Sequence, residues 1–127
     1  MAARILIVDD NPLIITLLRE FLAQKHHHVL EAVDGAQAFL LAEKEMPHLI
    51  ILDVVMPGLY GTTTIKKLRE YWRTMKIPII ILSGYPEESV RSIITDGANI
   101  RFLKKPVDFK LLDRLIDELL PAGGYTP

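Results

Sequence analysis

No cysteine occurs among the 127 residues, which excludes disulfides and thiolate metal sites and fits a reducing compartment. Neither sign of charge is in excess: 15 basic residues face 16 acidic ones, for a net charge of -1. The chain therefore lacks the basic footprint of a nucleic-acid or anionic-membrane binder. Long apolar runs are missing too. Stretches such as Ile77–Leu82 are far too short to span a bilayer. Met1-Ala2-Ala3-Arg4 leads straight into a strand-like run, without the ordered regions of a leader peptide. These absences predict a soluble, cytoplasmic protein. There is also no glycine-rich nucleotide loop, internal repeat or low-complexity tract. The few methionines and the single Trp72 read as core or surface filler rather than as a cofactor box.

What is present is core material. Half of the residues are apolar, and a chain of this length buries roughly two-thirds of its unfolded surface as one domain. That domain is expected over residues 1–121. Residues 122–127 (A-G-G-Y-T-P) have the composition of a flexible tail or the start of a linker.

Short runs rich in Ile, Leu and Val predict strands at 4–8, 29–33, 48–52, 77–82 and 100–103. Three are almost wholly apolar, as strands covered on both faces should be. The mixed V-L-E-A-V segment at 29–33 belongs nearer an edge. Between the strands lie amphipathic segments. Leu13, Ile14, Leu17, Leu18, Phe21 and Leu22 recur at helical spacing behind Asn11-Pro12, a good cap and first-turn pair. Residues 35–45, 62–72 and 87–96 also read as helices, with Gly97 as the left-handed stop of the last. Leu111, Leu112, Leu115, Ile116 and Leu119 form a final helix capped by Asp108. Five strands alternating with five helices predict an α/β, doubly wound (βα)5 fold with a parallel sheet. In such folds ligands bind beyond the carboxyl ends of the strands.

Four of the five predicted strands end in polar residues at that edge. The first delivers Asp9 and Asp10, the third Asp53, the fourth Ser83 before Gly84, and the fifth Lys104 and Lys105 before Pro106. Three carboxylates about 4–6 Å apart repel one another by some kcal/mol per pair. A cation must offset that, or one acid must keep its proton. An all-oxygen site suits a small hard ion, Mg2+ or Mn2+. Acids, a metal, a hydroxyl and a lysine around one carboxylate suit phosphoryl transfer to that carboxylate. In this reading Asp53 is the nucleophile. The metal sits on Asp10 and Asp53, with Asp9 helping directly or through water. Lys105 and Ser83 bind phosphoryl oxygens.

The blocks V-D-D-N, L-D-V-V-M-P-G-L-Y-G, L-S-G and K-K-P, in register from residue 4 to about 120, resemble the CheY-like receiver domains of response regulators. The resemblance implies a flavodoxin-like sheet of order 2-1-3-4-5, Asp53 as phosphoacceptor and Asp9 with Asp10 as the acid pair. It also implies that the Val55 carbonyl completes the metal site, that Ser83 is the switch hydroxyl and that Lys105, next to the proline, binds phosphate. A cis Lys105–Pro106 bond is expected to aim that lysine. The implied donor is a phosphohistidine on a sensor histidine kinase or phosphotransfer protein. The implied role is a two-component switch rather than an enzyme. No membrane or direct nucleic-acid contact is expected, the downstream partner is open, and a phosphorylation-dependent dimer is allowed.

The switch aromatic that the resemblance implies is Phe102, three residues before Lys105. Lacking a hydroxyl that prefers water, it is expected to sit inward even without phosphate. The readout surface is expected on the helix at 87–96, the fifth strand and the final helix. Apolar Val55 and bulky Tyr85 are expected to shield an acyl phosphate from water. Simpler readings apply elsewhere: His26-His27-His28 reads as a solvated turn, His48 as the opening of a strand and Lys104 as a solvated edge residue. Two rival functions remain. A haloacid-dehalogenase-type phosphohydrolase would need an acid where Val55 stands. A phosphorylation-independent module would usually lack one of the acids or the lysine.

Overall fold

A computed structural model describes residues 3–53, 60–86, 88 and 99–120. Its strands are β1 (Arg4–Val8), β2 (His28–Ala32), β3 (Leu49–Asp53), β4 (Ile79–Ser83) and β5 (Ile100–Lys104). All neighbours pair in parallel, in the order β2-β1-β3-β4-β5. The mixed strand β2 lies at an edge, and β1 and β3, apolar over Ile5–Val8 and Leu49–Leu52, lie inside, because an interior strand has no solvent-facing side. The described helices are α1 (Pro12–Gln24), α2 (Gly35–Glu45), α3 (Tyr60–Glu70) and α4 (Phe109–Leu119). Apart from Glu88, the helix expected at 87–96 lies outside the described residues, as do its stop at Gly97 and the tail at 122–127.

Alternation along the strands builds two cores. Ile5, Ile7, Leu49, Ile51, Ile80 and Leu82 face α1 and α4, packing on Ile15, Leu18, Leu22, Leu112 and Ile116. Leu6, Val8, Ile50, Leu52, Ile79 and Ile81 face the other way, onto Ala38, Ala42, Ile65 and Leu68 of α2 and α3. Each fully buried Leu or Ile contributes about 1.5–3 kcal/mol relative to exposure.

Helix ends follow local chemistry. Asn11 Oδ1 accepts the Leu13 N–H at 2.9 Å, with Pro12 in the first turn. Asp108 Oδ1 accepts the N–H groups of Lys110 and Leu111. Helix α3 stops at Glu70, short of the expected 72, because Thr74 turns the chain. Its buried hydroxyl donates to the Leu68 carbonyl at 2.7 Å and so satisfies an orphan acceptor of the last turn. Helix α1 corrects the expected stripe. Ile15, Leu18 and Leu22 are its buried line, whereas Leu13 and Leu17 are exposed. Six apolar positions spanned more of the helix circumference than one sheet covers.

Register sets up the carboxyl edge. Val8 lies opposite both Leu52 and Ala32, so Asp9 and Asp53 follow on adjacent strands at the same level. Ser83 lies opposite Lys104, which brings Lys105 to that level from the far side.

Candidate phosphoacceptor site

Asp9 leaves β1 still paired, its N–H donating to the Ala32 carbonyl at 3.1 Å. Its Oδ1 accepts the Asn11 N–H at 2.8 Å, a turn that ties the acid to the start of α1. Lys105 likewise extends the β4–β5 pairing, its N–H donating to the Ser83 carbonyl at 2.8 Å. Its Nζ lies 2.8 Å from Asp53 Oδ1 and 3.5 Å from Asp9 Oδ2. The Asp9 and Asp53 side chains are 1% and 5% exposed, against 26% for Lys105. The Lys105–Pro106 peptide is cis.

Asp9, Asp10 and Asp53 each bring a carboxylate oxygen within 4.8 Å of the others. At that spacing each like-charged pair repels by about 3 kcal/mol at an effective dielectric near 20. Among the described residues one ammonium serves the three carboxylates, which leaves negative charge in excess there. Burial pushes the Asp53 carboxyl above its usual range, and Asp9 and Asp10 add to this; its hydrogen bond with Lys105 opposes them. Burial pulls the Lys105 ammonium down. The hydrogen bond and charge of Asp53, with help from Asp9, outweigh that and hold Lys105 above the usual lysine value. The lysine therefore stays charged, and the acids still lack a full counter-charge. Hard oxygen donors of net negative charge are the donor set that a small divalent cation takes.

Ser83 is fully buried, and its Oγ accepts the N–H of exposed Tyr85 at 3.0 Å. Phe102 is half-buried and packs against the core cluster that contains Ile79, Ile81 and Ile100. Lys104 is exposed. Val55 lies outside the described residues.

Two features were not legible beforehand. A cleft of about 280 Å3 opens beside Asp9 and Asp10, walled by Pro12, Ile15, Arg19 and Val33. Val33 is exposed where it lines this cleft, and Leu13 and Leu17 of α1 are exposed as well; an unusually wide apolar stripe on α1 was the available signal. At the opposite edge of the sheet, His27 and His48 accept backbone N–H groups from Ala3 and Arg4. His27 is therefore not simply part of a solvated turn. No periodicity could reveal this, because both contacts depend on tertiary register.

A family model described as the response regulator receiver domain matches residues 5–117. Protein PilH of Pseudomonas aeruginosa is 36% identical over 118 residues, covering 93% of this chain and 98% of PilH. The response regulator PleD of Caulobacter vibrioides is 35% identical over 112 residues, 88% of this chain, and the match spans only 25% of PleD. Among solved structures, the receiver domain of the sensor histidine kinase PA1611 from Pseudomonas aeruginosa superimposes with a TM-score of 0.82 at 28% identity. That match covers 94% of this chain and 98% of the other, and the PA1611 domain carries a magnesium ion coordinated in its active-site cleft. No helix among the described residues is long and apolar enough to cross a membrane. With the acid cluster, the lysine, the strand order and the family match all in register, this chain belongs to the response regulator receiver domains, a family of two-component signalling proteins.

Proposed function

We propose that this receiver accepts a phosphoryl group on Asp53 from a phosphohistidine of a sensor histidine kinase or phosphotransfer protein, and that the modification switches its partner-binding surface. The observation that carries this reading is the cluster of three carboxylates within 4.8 Å of one another, with the Lys105 ammonium 2.8 Å from Asp53. A structural cluster would be expected to balance its charges; among the described residues this one keeps an excess of negative charge that a divalent cation would offset, which an incoming anionic phosphoryl group requires.

In the reaction, an Asp53 carboxylate oxygen attacks phosphorus. The new P–O bond forms as the P–N bond to the donor imidazole breaks, and the imidazole leaves with the electron pair. Lys105 moves its charge from the carboxylate to a phosphoryl oxygen, and the Ser83 hydroxyl donates to another. Asp9 and Asp10, with Asp53 and the Val55 carbonyl, would hold Mg2+ or Mn2+, which when bound neutralises charge developing on the phosphoryl oxygens. Water later cleaves the acyl phosphate. Val55 supplies no second acid to turn this chemistry into phosphohydrolase turnover on other substrates.

The cleft beside Asp10, walled in part by Pro12, Ile15 and Val33, would offer a donor protein an apolar footing next to the acceptor. On the other flank, Ser83 and Phe102 would relay the new charge to β5 and α4 and to the segment at 87–96. The folded unit is 1–121, and the cytoplasm is its compartment.

Incubation with Mg2+ and acetyl phosphate, followed by intact mass measurement, tests this reading. The expected result is the gain of one phosphoryl group, lost in Asp53→Asn and sharply reduced by a chelator. No gain in the wild-type protein would overturn it.

A further inference from the structure

The entry to the central strand is held from both sides. The Ala3 carbonyl accepts the His28 N–H at 2.8 Å, and the Arg4 carbonyl accepts the His48 N–H at 2.8 Å. In the other direction, the Ala3 N–H donates to His27 Nδ1 at 3.2 Å and the Arg4 N–H donates to His48 Nδ1 at 2.9 Å. Ala3 is fully buried. An imidazole nitrogen accepts only when it carries no proton, so both rings must be neutral with the proton on Nε2. A protonated ring would turn an N–H toward each backbone N–H and leave that donor unsatisfied.

We propose that His27 and His48 form a pH-operated clasp on the start of β1, closed while both rings are neutral and opened when either takes up a proton in mild acid. The clasp sits at the far end of the strand from the acid cluster, and its argument does not depend on phosphoryl transfer.

The surroundings favour the closed, neutral form. Burial lowers His27 below the usual 6.5; the amino-terminal charge and His26 act the same way, against Asp113 and Asp117 of α4. Asp113 is itself paired with Lys25 at 3.2 Å. Burial and then the Arg4 charge lower His48. The Arg4 guanidinium is held in place by the carbonyls of Glu45 and Met46 at 3.2 and 3.0 Å. Because both folded-state values lie below the unfolded one, the unfolded chain binds protons more readily. The stability contributed by the clasp is full above about pH 6.5 and is lost as pH falls through the folded values.

Urea unfolding at about pH 7.5 and about pH 5.5, on either side of the usual imidazole value, tests the clasp. It is run in the Asp53→Asn background, which removes the cluster carboxyl held above its usual range. The control is the double substitution His27→Asn with His48→Asn, whose side-chain oxygens can accept the same N–H groups without titrating. The expected result is a midpoint that falls at the lower pH in the parent and stays put in the double variant. A double variant that loses as much as its parent would overturn the proposal. Ring nitrogen chemical shifts of the wild-type protein give a second readout that needs no variant. Unprotonated Nδ1 atoms in both rings are expected at about pH 7.5; a proton on either would sink the clasp.

Discussion

The two edges of this one sheet solve opposite electrostatic problems. At the amino edge, His27, His48 and Arg4 are used up in binding backbone: two imidazoles take N–H groups of β1, and the guanidinium takes the end of α2. At the carboxyl edge, Asp9, Asp10 and Asp53 crowd within 4.8 Å of one another with one lysine between two of them. The first arrangement lowers the free energy of the fold; the second raises it in the absence of a cation. Polar residues at strand ends are thus not one class. What separates them is whether their bonding capacity is met from within the chain.

The largest test of that difference is Lys105→Ala. Removing the ammonium 2.8 Å from Asp53 leaves one phosphoryl oxygen without its charged partner. The rate of phosphorylation by acetyl phosphate is expected to fall about a hundredfold, the scale of losing one preorganised charge-stabilising donor. Mg2+ affinity should move the other way, because the acids lose their competitor for negative charge. Stopped-flow phosphorylation and metal titration by calorimetry check the two halves. A variant that binds Mg2+ more weakly would mean that Lys105 organises the acids rather than competing with the ion.

One substitution at each edge gives a smaller contrast. His48→Ala strands the Arg4 N–H near the base of the central strand and is expected to cost about 1–3 kcal/mol at neutral pH. Asp53→Asn removes two repulsions and one closer attraction that nearly equals their sum. It is expected to stabilise the metal-free protein by about 1 kcal/mol. With a urea slope of about 1–3 kcal/mol/M, the midpoints should shift measurably in opposite directions. Two shifts of the same sign would erase the distinction between the edges.

The carboxyl edge was readable from the chain because its logic is local to each strand. An apolar run followed by Asp9-Asp10, Asp53, Ser83 or Lys105 carries its own message, and parallel pairing does the rest. Strand positions were legible for the same reason, since runs buried on both faces leave no ambiguity of side. The width of the α1 stripe was not, because helical spacing does not say how much of a helix the sheet can cover; Leu13 and Leu17 therefore fall on the outside. The amino edge was opaque for a deeper reason. His27 and His48 are 21 positions apart in the chain and meet only through β1, lying beside it once β2 and β3 have paired with it on either side. Three consecutive histidines read as a group, whereas the imidazole that bonds Ala3 is that of the middle one.

Between the two edges stands a third kind of charge, the Arg19–Glu31 pair that rims the cleft at 2.7 Å. Its side chains are 46% and 37% exposed, so water competes with the contact throughout. An exposed pair of this kind is worth about 0.2–1 kcal/mol and is screened by salt. Glu31→Gln is therefore expected to lower stability by less than about 1 kcal/mol, with the difference vanishing near 1 M salt. Phosphorylation by acetyl phosphate should be unchanged, since a small donor needs no footing on the cleft wall. Paired urea melts at low and high salt read the first part, and mass-resolved time courses read the second. A loss above about 2 kcal/mol that persists in high salt would make the pair a structural strut like the amino edge. A slowed reaction with acetyl phosphate would instead make it part of the acceptor site.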